Sequence, residues 1–280
     1  MALEIGRLTV EAVDEAWRLS TQAGWNQTRA DWRRLLELCP ESSYGGWVGE
    51  ELVTTSTLAT YGGSIGWIGM VLVDEDHRRR GYGSALFEQA LERGVERGLD
   101  VIGLDATDAG ATVYRQYDFE TVSGIDRWTG DLVAHPESDD SSPVRSVEDP
   151  EDVVGFDRRT VGADRASLLS HLIESPDTMA LVAGDDETAG YAIVRPGRTR
   201  PQVGPVVADG RVHLSSLLSA VADRLDRPAV VDALRSDETE RALANAGLRV
   251  DRRLHRMTHG EPVGVLDGGT VVAATGFEWG

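Results

Sequence analysis

The chain has 280 residues and a formal net charge of −19, with 47 acidic residues against 28 basic ones, all of them arginine. Basic clusters no larger than Arg78, Arg79, Arg80 and Arg252, Arg253 exclude an electrostatic footprint for nucleic acid or an anionic membrane surface. The length suffices for one large core or two ordinary ones, and the absence of lysine beside an acidic excess fits a soluble protein of a salt-rich cytoplasm, an ordinary acidic protein being the alternative.

A lone cysteine, Cys39, has no intramolecular disulfide partner and reads as a packed thiol among Leu35, Leu36 and Leu38. No apolar run approaches about 18 residues, and the opening Met1-Ala2-Leu3-Glu4 lacks the regions of a signal peptide, so a cytoplasmic location is expected.

In chain order, residues 7–10 predict a short strand, and residues 13–23 and 28–38 predict helices. Thr28 ahead of Asp31 has the spacing of a capping box in its acidic form. Residues 44–50 and 52–61 predict a hairpin, and a Gly-Gly turn leads into a central strand at 67–73. A helix is expected from Gly83, a strand at 101–105, a short helix at 109–117, and two closing strands at 121–122 and 125–132. Residues 133–143, polar and rich in Pro, Ser and Asp, predict a linker between halves 1–132 and 144–280.

The second half repeats the order. A strand at 144–147 precedes helices within 150–174, a hairpin at 179–183 and 189–194, and a central strand at 202–207. A helix at 212–225, a strand at 229–233, a helix at 239–246 and a strand carrying His255 and His259 follow.

The densest signal is Arg78-Arg79-Arg80-Gly81-Tyr82-Gly83-Ser84, between an apolar strand and an amphipathic helix. A glycine-bearing turn entering a helix exposes unpaired N–H groups at the positive end of the helix dipole, which suits a phosphorylated ligand. A P-loop is excluded because the chain has no lysine, and a dinucleotide fingerprint is excluded because Leu86 stands where its third glycine belongs.

The remaining pattern, R-x-x-G-x-G after V-L-V-D-E-D-H and before S-A-L-F-E-Q-A-L, resembles the acetyl-CoA loop of the GNAT N-acetyltransferases. W-N-Q-T at 25–28, L-D-A-T at 104–107 and V-Y-R-Q-Y-D-F at 113–119 extend the resemblance to a two-domain subfamily with a degenerate second half. It implies an α/β fold with an α+β mixed sheet, a tandem GNAT acyl-CoA N-acyltransferase. The implied activity moves an acetyl group from acetyl-CoA to a primary amine of a small molecule or a protein. A binding-class alternative is an acyl-CoA sensor without turnover. No metal, nucleic acid or membrane partner is implied, and the chain is expected as a monomer or homodimer.

The resemblance also implies roles. Arg78, Arg79, Arg80, Gly81, Tyr82, Gly83 and Ser84 hold the diphosphate, and Val71, Leu72 and Val73 on a strand splayed from its neighbour face the thioester arm. Tyr114 stands where a hydroxyl protonates the departing thiolate, or else is a buried aromatic with a structural partner. Asp105 either takes a proton from the acceptor amine or caps the next helix. Trp25 and Asn26, with Trp67, border the acceptor, Trp25 alternatively stapling onto the second helix. Asp118 replaces the motif's glycine and tolerates a left-handed turn. His77 is expected to face solvent, as is Glu51. In the second half, residues 208–213 lack R-x-x-G-x-G and place Asp209 at the anion position, so no acetyl-CoA is expected there.

Overall fold

The computed structural model describes residues 2–134, 141–147, 149–261 and 270–280; residues 135–140 of the expected linker, His135 among them, lie outside these. The chain forms two compact units. Met1–Leu104 with Gly197–Thr199 and Glu278–Gly280 makes the first, and Asp105–Pro196 with Arg200–Phe277 makes the second.

In the first unit, helices α1 (Val13–Gln22) and α2 (Arg29–Leu38) are joined by the W-N-Q-T segment. The capping box forms in both directions: the Asp31 N–H donates to Thr28 Oγ1 at 3.2 Å and the Thr28 N–H to Asp31 Oδ2 at 2.8 Å. One turn on, Trp32 is fully buried and its Nε1 donates to Ser20 Oγ of α1 at 3.0 Å, so the cap and the apolar stripe fix one helix against the other.

The sheet of this unit runs β1 (Glu4–Arg7), β2 (Ser43–Val48), β3 (Glu51–Tyr61) and β4 (Ile65–Val73), all antiparallel, followed by residues 101–104 of β5 (Val101–Ala106) parallel to β4. Helix α3 (Tyr82–Glu96) buries Leu86, Phe87, Ala90 and Gly94. The first strand lies earlier than expected. Glu4–Arg7 pairs with β2, whereas Val10–Ala12 is a 3-10 turn leading into α1.

In the second unit, α4 (Asp108–Tyr114) and a 3-10 turn at Arg115–Tyr117 lead to β6 (Glu120–Gly130). The two expected closing strands are this one strand. Gly124 does not break it, because the Arg235 guanidinium packs where a Cβ would project, 2.4 Å away, and the Arg235 N–H donates to the Gly124 carbonyl.

Then come β7 (Val144–Ser146), α5 (Glu151–Val161), α6 (Ala166–Ile173), β8 (Met179–Ala183), β9 (Gly190–Arg195) and β10 (Gln202–Ala208). They are followed by α7 (Arg211–Ala222), β11 (Ala229–Leu234), α8 (Asp237–Asn245), β12 (Arg249–His259) and β13 (Val271–Ala273). Strand order is β12-β6-β11-β13-β10-β9-β8-β7. Thus β6 pairs antiparallel on both sides, with β12 and with β11. No helix among the described residues is long and apolar enough to cross a membrane.

Candidate active site

The parallel pairing of β4 with β5 runs from Ile65↔Val101 to Trp67↔Gly103 and stops, while β4 continues to Val73. Along its other edge β4 follows β3, with one extra residue between Thr57↔Gly69 and Thr55↔Leu72. Met70 sits in that bulge with a φ of 52°, a left-handed value costly for an unbranched non-glycine residue and characteristic of functional sites. Hydroxyls of β3 take the displaced carbonyls: Thr55 Oγ1 donates to Met70 O and Thr54 Oγ1 to Leu72 O, both at 2.7 Å. Among the described residues, β4 beyond Trp67 therefore has a strand partner on one edge only, and Val71, Leu72 and Val73 lie on that stretch.

Strand β4 hands the chain to α3 through residues 74–81. Asp74 organises this turn. Its buried carboxylate accepts from Arg18 Nη1 of α1 at 2.6 Å and from the Asp76 N–H at 3.0 Å, with His77 Nδ1 at 3.4 Å. Burial pushes the Asp74 carboxyl up, but the hydrogen bonds from Arg18, Asp76 and His77 prevail and hold it below the usual carboxylate range. His77 is correspondingly turned inward rather than facing solvent, and its ring stacks near Tyr82 with centroids 6.3 Å apart.

Gly81, at φ 81°, is the residue before α3, and no side chain caps the helix. The first intrahelical bond runs from the Ala85 N–H to Gly81 O, so the N–H groups of Tyr82, Gly83 and Ser84 point out of the helix end without a carbonyl of their own helix. No acidic residue occupies that first turn, and Arg78, Arg79 and Arg80 are exposed around it. A Cβ on Gly83 would reach within 3.0 Å of Val73 Cγ2. The junction gathers unbonded N–H donors at a helix start with exposed arginines beside them, and this donor set fits a diphosphate.

Residues expected at the acceptor are placed differently. Asn26 is buried, and its Oδ1 accepts from the Thr199 N–H at 3.0 Å and from Thr199 Oγ1 at 2.9 Å. The Asn26 and Trp25 carbonyls accept from Arg198 N and Arg198 Nε, both at 2.7 Å. Gln27 Nε2 donates to Glu278 Oε2 at 2.9 Å. W-N-Q-T is thus a docking surface for Gly197–Thr199 and for Glu278–Gly280, and Trp25 itself is half-buried. Trp67 is 1 % exposed, its ring closed off by Gly103 and Gly280, where added Cβ atoms would lie 2.3 and 2.6 Å from it. It is a core residue and offers no wall to a substrate.

In the second unit, α4 begins behind Thr107, whose side chain accepts from the Gly110 N–H. Asp105 performs neither expected role. It does not cap α4, and both carboxylate oxygens are held by Arg256, from Nε at 3.0 Å and Nη2 at 2.9 Å, in a fully buried pair with no face from which to take a proton. Burial holds its carboxyl above the usual range, with Arg256 pulling it back.

Tyr114 ends α4, half-buried, and burial pushes its hydroxyl up to about 12, so it stays protonated at neutral pH. Asp118 adopts φ 60°, supplying the left-handed turn, and Phe119 closes back on Tyr114 with ring centroids 6.3 Å apart. His255 meets Asp108 Oδ1 at 2.7 Å and His259 meets Tyr117 O at 3.1 Å.

A mixed sheet whose central parallel pair opens ahead of a glycine turn and helix defines an acyl-CoA N-acyltransferase fold. The comparisons with known proteins agree. Residues 10–119 match the model of the "Acetyltransferase (GNAT) family", and residues 153–270 match that of an "Acetyltransferase (GNAT) domain". The chain belongs to the GNAT family, as a two-domain member.

An uncharacterized N-acetyltransferase, YitH, of Bacillus subtilis is 23% identical over 236 residues, 82% of this chain and 81% of that protein. A putative acetyltransferase of Pyrococcus horikoshii shares the fold with a TM-score of 0.84 at 21% identity, covering 99% of this chain and 96% of that one. A tandem GNAT protein from the clavulanic acid biosynthesis pathway has a TM-score of 0.66 at 16% identity, covering 94% and 100%.

Proposed function

We propose that the protein is an N-acetyltransferase that moves an acetyl group from acetyl-CoA to a primary amine of a small molecule or protein. The observation that carries this is the one-sided stretch of β4, bulged at Met70 and led through the turn at 74–81 to the uncapped start of α3. Acetyl-CoA supplies the activated thioester. The N–H groups of Tyr82, Gly83 and Ser84, with Arg78, Arg79 and Arg80, would hold its diphosphate, and the open edge at Val71, Leu72 and Val73 would hold the arm and orient its carbonyl.

Tyr114 is the proposed proton donor to the sulfur. Burial keeps its hydroxyl protonated at neutral pH, so a proton is present to be given as the sulfur departs. Asp105 is assigned to structure, through its pair with Arg256. The two repeats are proposed as 1–132 and 144–280, joined by 133–143. The acidic, lysine-free composition supports a cytoplasm of high salt.

The test is release of free thiol from acetyl-CoA in molar salt across a panel of primary amines, with mass detection of the acetylated amine. Amine-dependent thiol release is expected from the unmodified protein and not from Gly83→Asp. Acetyl-CoA binding with no turnover on any amine would leave only the sensor alternative, and no binding would remove the assignment.

A further inference from the structure

The second repeat has a slot of the same construction, and the chain itself lies in it. Strands β10 and β11 pair in parallel at Gln202↔Val230 and Val203↔Val231, as β4 and β5 do in the first unit. Past Val203 the register of β10 shifts, and β13 enters between the two strands. It runs antiparallel to both, with Val206↔Ala273 and Val207↔Val271 on the β10 side and Ala233↔Ala273 on the β11 side.

Flanking bonds complete the insertion. The Ala208 N–H donates to Thr270 O at 3.0 Å, the Ala274 N–H to Asp232 O at 2.8 Å, and Arg195 Nη1 to Thr275 O at 2.6 Å. Val271, Val272, Ala273, Ala274 and Thr275 are all buried. The fit leaves no spare room: a Cβ on Gly204 would lie 2.1 Å from Ala274 O.

An extended thioester arm in this slot would need the same edge groups of β10 and β11 that β13 already occupies, since both bind by strand-like pairing. The adjoining turn matches this. In the first unit residues 74–81 separate strand from helix, whereas Asp209 and Gly210 alone separate β10 from α7. The long turn that would wrap a diphosphate is therefore missing as well as its sequence.

We propose that β13 is a built-in occupant of a second acyl-CoA slot, shutting it permanently, so that each chain takes up a single acyl-CoA. This rests on the assignment of the open β4 edge as the thioester slot of the first unit.

The experiment is a disulfide lock across the slot, Val206→Cys with Ala273→Cys, at a facing pair of the two strands. Cys39 is buried with its thiol pushed up to about 12, and so stays out of the oxidation. Acetyl-CoA is titrated calorimetrically into the oxidised and reduced forms. Hydrogen exchange over 270–275 is followed in the unmodified protein with and without acetyl-CoA, an arm independent of whether the cysteine variant folds.

The expected result is a formed crosslink, one acetyl-CoA per chain in both forms with dissociation constants within about twofold, and slow exchange unaltered by ligand. A second acetyl-CoA per chain, loss of binding on crosslinking, failure of the cysteines to join, or faster exchange in 270–275 on binding would each overturn it. Gly83→Asp keeps the two assignments apart. If acetyl-CoA binds neither form, the first-unit assignment fails while crosslink and exchange still decide the second. Binding that survives Gly83→Asp but not the lock places the ligand against β10.

Discussion

Replacing Gly83 by Asp separates binding from folding at the α3 junction. Gly83 is the second residue of the helix, where a carboxylate favours the helix dipole by about 0.3–1 kcal/mol, and removing a helical glycine adds a comparable gain. Against this stands one close approach, Cβ to Val73 Cγ2 at 3.0 Å, relieved by a small shift of the valine side chain. Stability should therefore change by no more than about 2 kcal/mol. A carboxylate about 4 Å from a bound phosphate repels it by about 4 kcal/mol at an effective dielectric near 20, and water and salt at a half-exposed turn reduce this. Acetyl-CoA affinity should fall about 100-fold or more, read by calorimetry at fixed salt beside a urea denaturation curve. An affinity within about threefold of the parent, with the fold intact, would refute the placement of the diphosphate.

Tyr114→Phe should lower kcat by about 10- to 100-fold with the KM for acetyl-CoA within about twofold, in a steady-state assay resolved for both substrates. Arg256→Met should cost about 3–5 kcal/mol in urea denaturation, because it strands the buried Asp105 carboxylate; Asp105→Asn in the same chain should restore much of that. For Asp105 the folded value is raised, so its contribution to stability is full below the ordinary carboxylate pKa of about 4 and is lost as pH rises through the raised value. Acid should therefore narrow the deficit of Arg256→Met. Asp118→Val should lose about 1–2 kcal/mol at its left-handed φ of 60°, whereas Asp118→Gly should be neutral or stabilising by up to about 1 kcal/mol, both read from denaturation midpoints.

What the sequence revealed about this protein was local, and what it hid was distant. The Thr28/Asp31 cap, the turn at Gly81 and the left-handed Asp118 each follow from residues a few positions apart, and each formed as expected. Asp74 was within reach of the same reasoning, as an Asp opening a turn two residues before the N–H it accepts from. The pairing of Gln27 with Glu278 spans 251 positions, and no periodicity relates them. The same holds for Asp105 with Arg256, which turns an apparent strand-end acid into half of a buried ion pair. Trp67 looked like a pocket wall because its cover, Gly280, comes from the far end of the chain. Strand β13 is a short apolar run of Val271, Val272 and Ala273, and only the opening between β10 and β11 gives it a place.

The most direct test of the central claim is a crystal structure of the protein with acetyl-CoA. The diphosphate oxygens should lie about 3 Å from the N–H groups of Tyr82, Gly83 and Ser84, with the thioester arm along Val71, Leu72 and Val73. Density for the ligand at α7, or anywhere that leaves these amides bare, would contradict it.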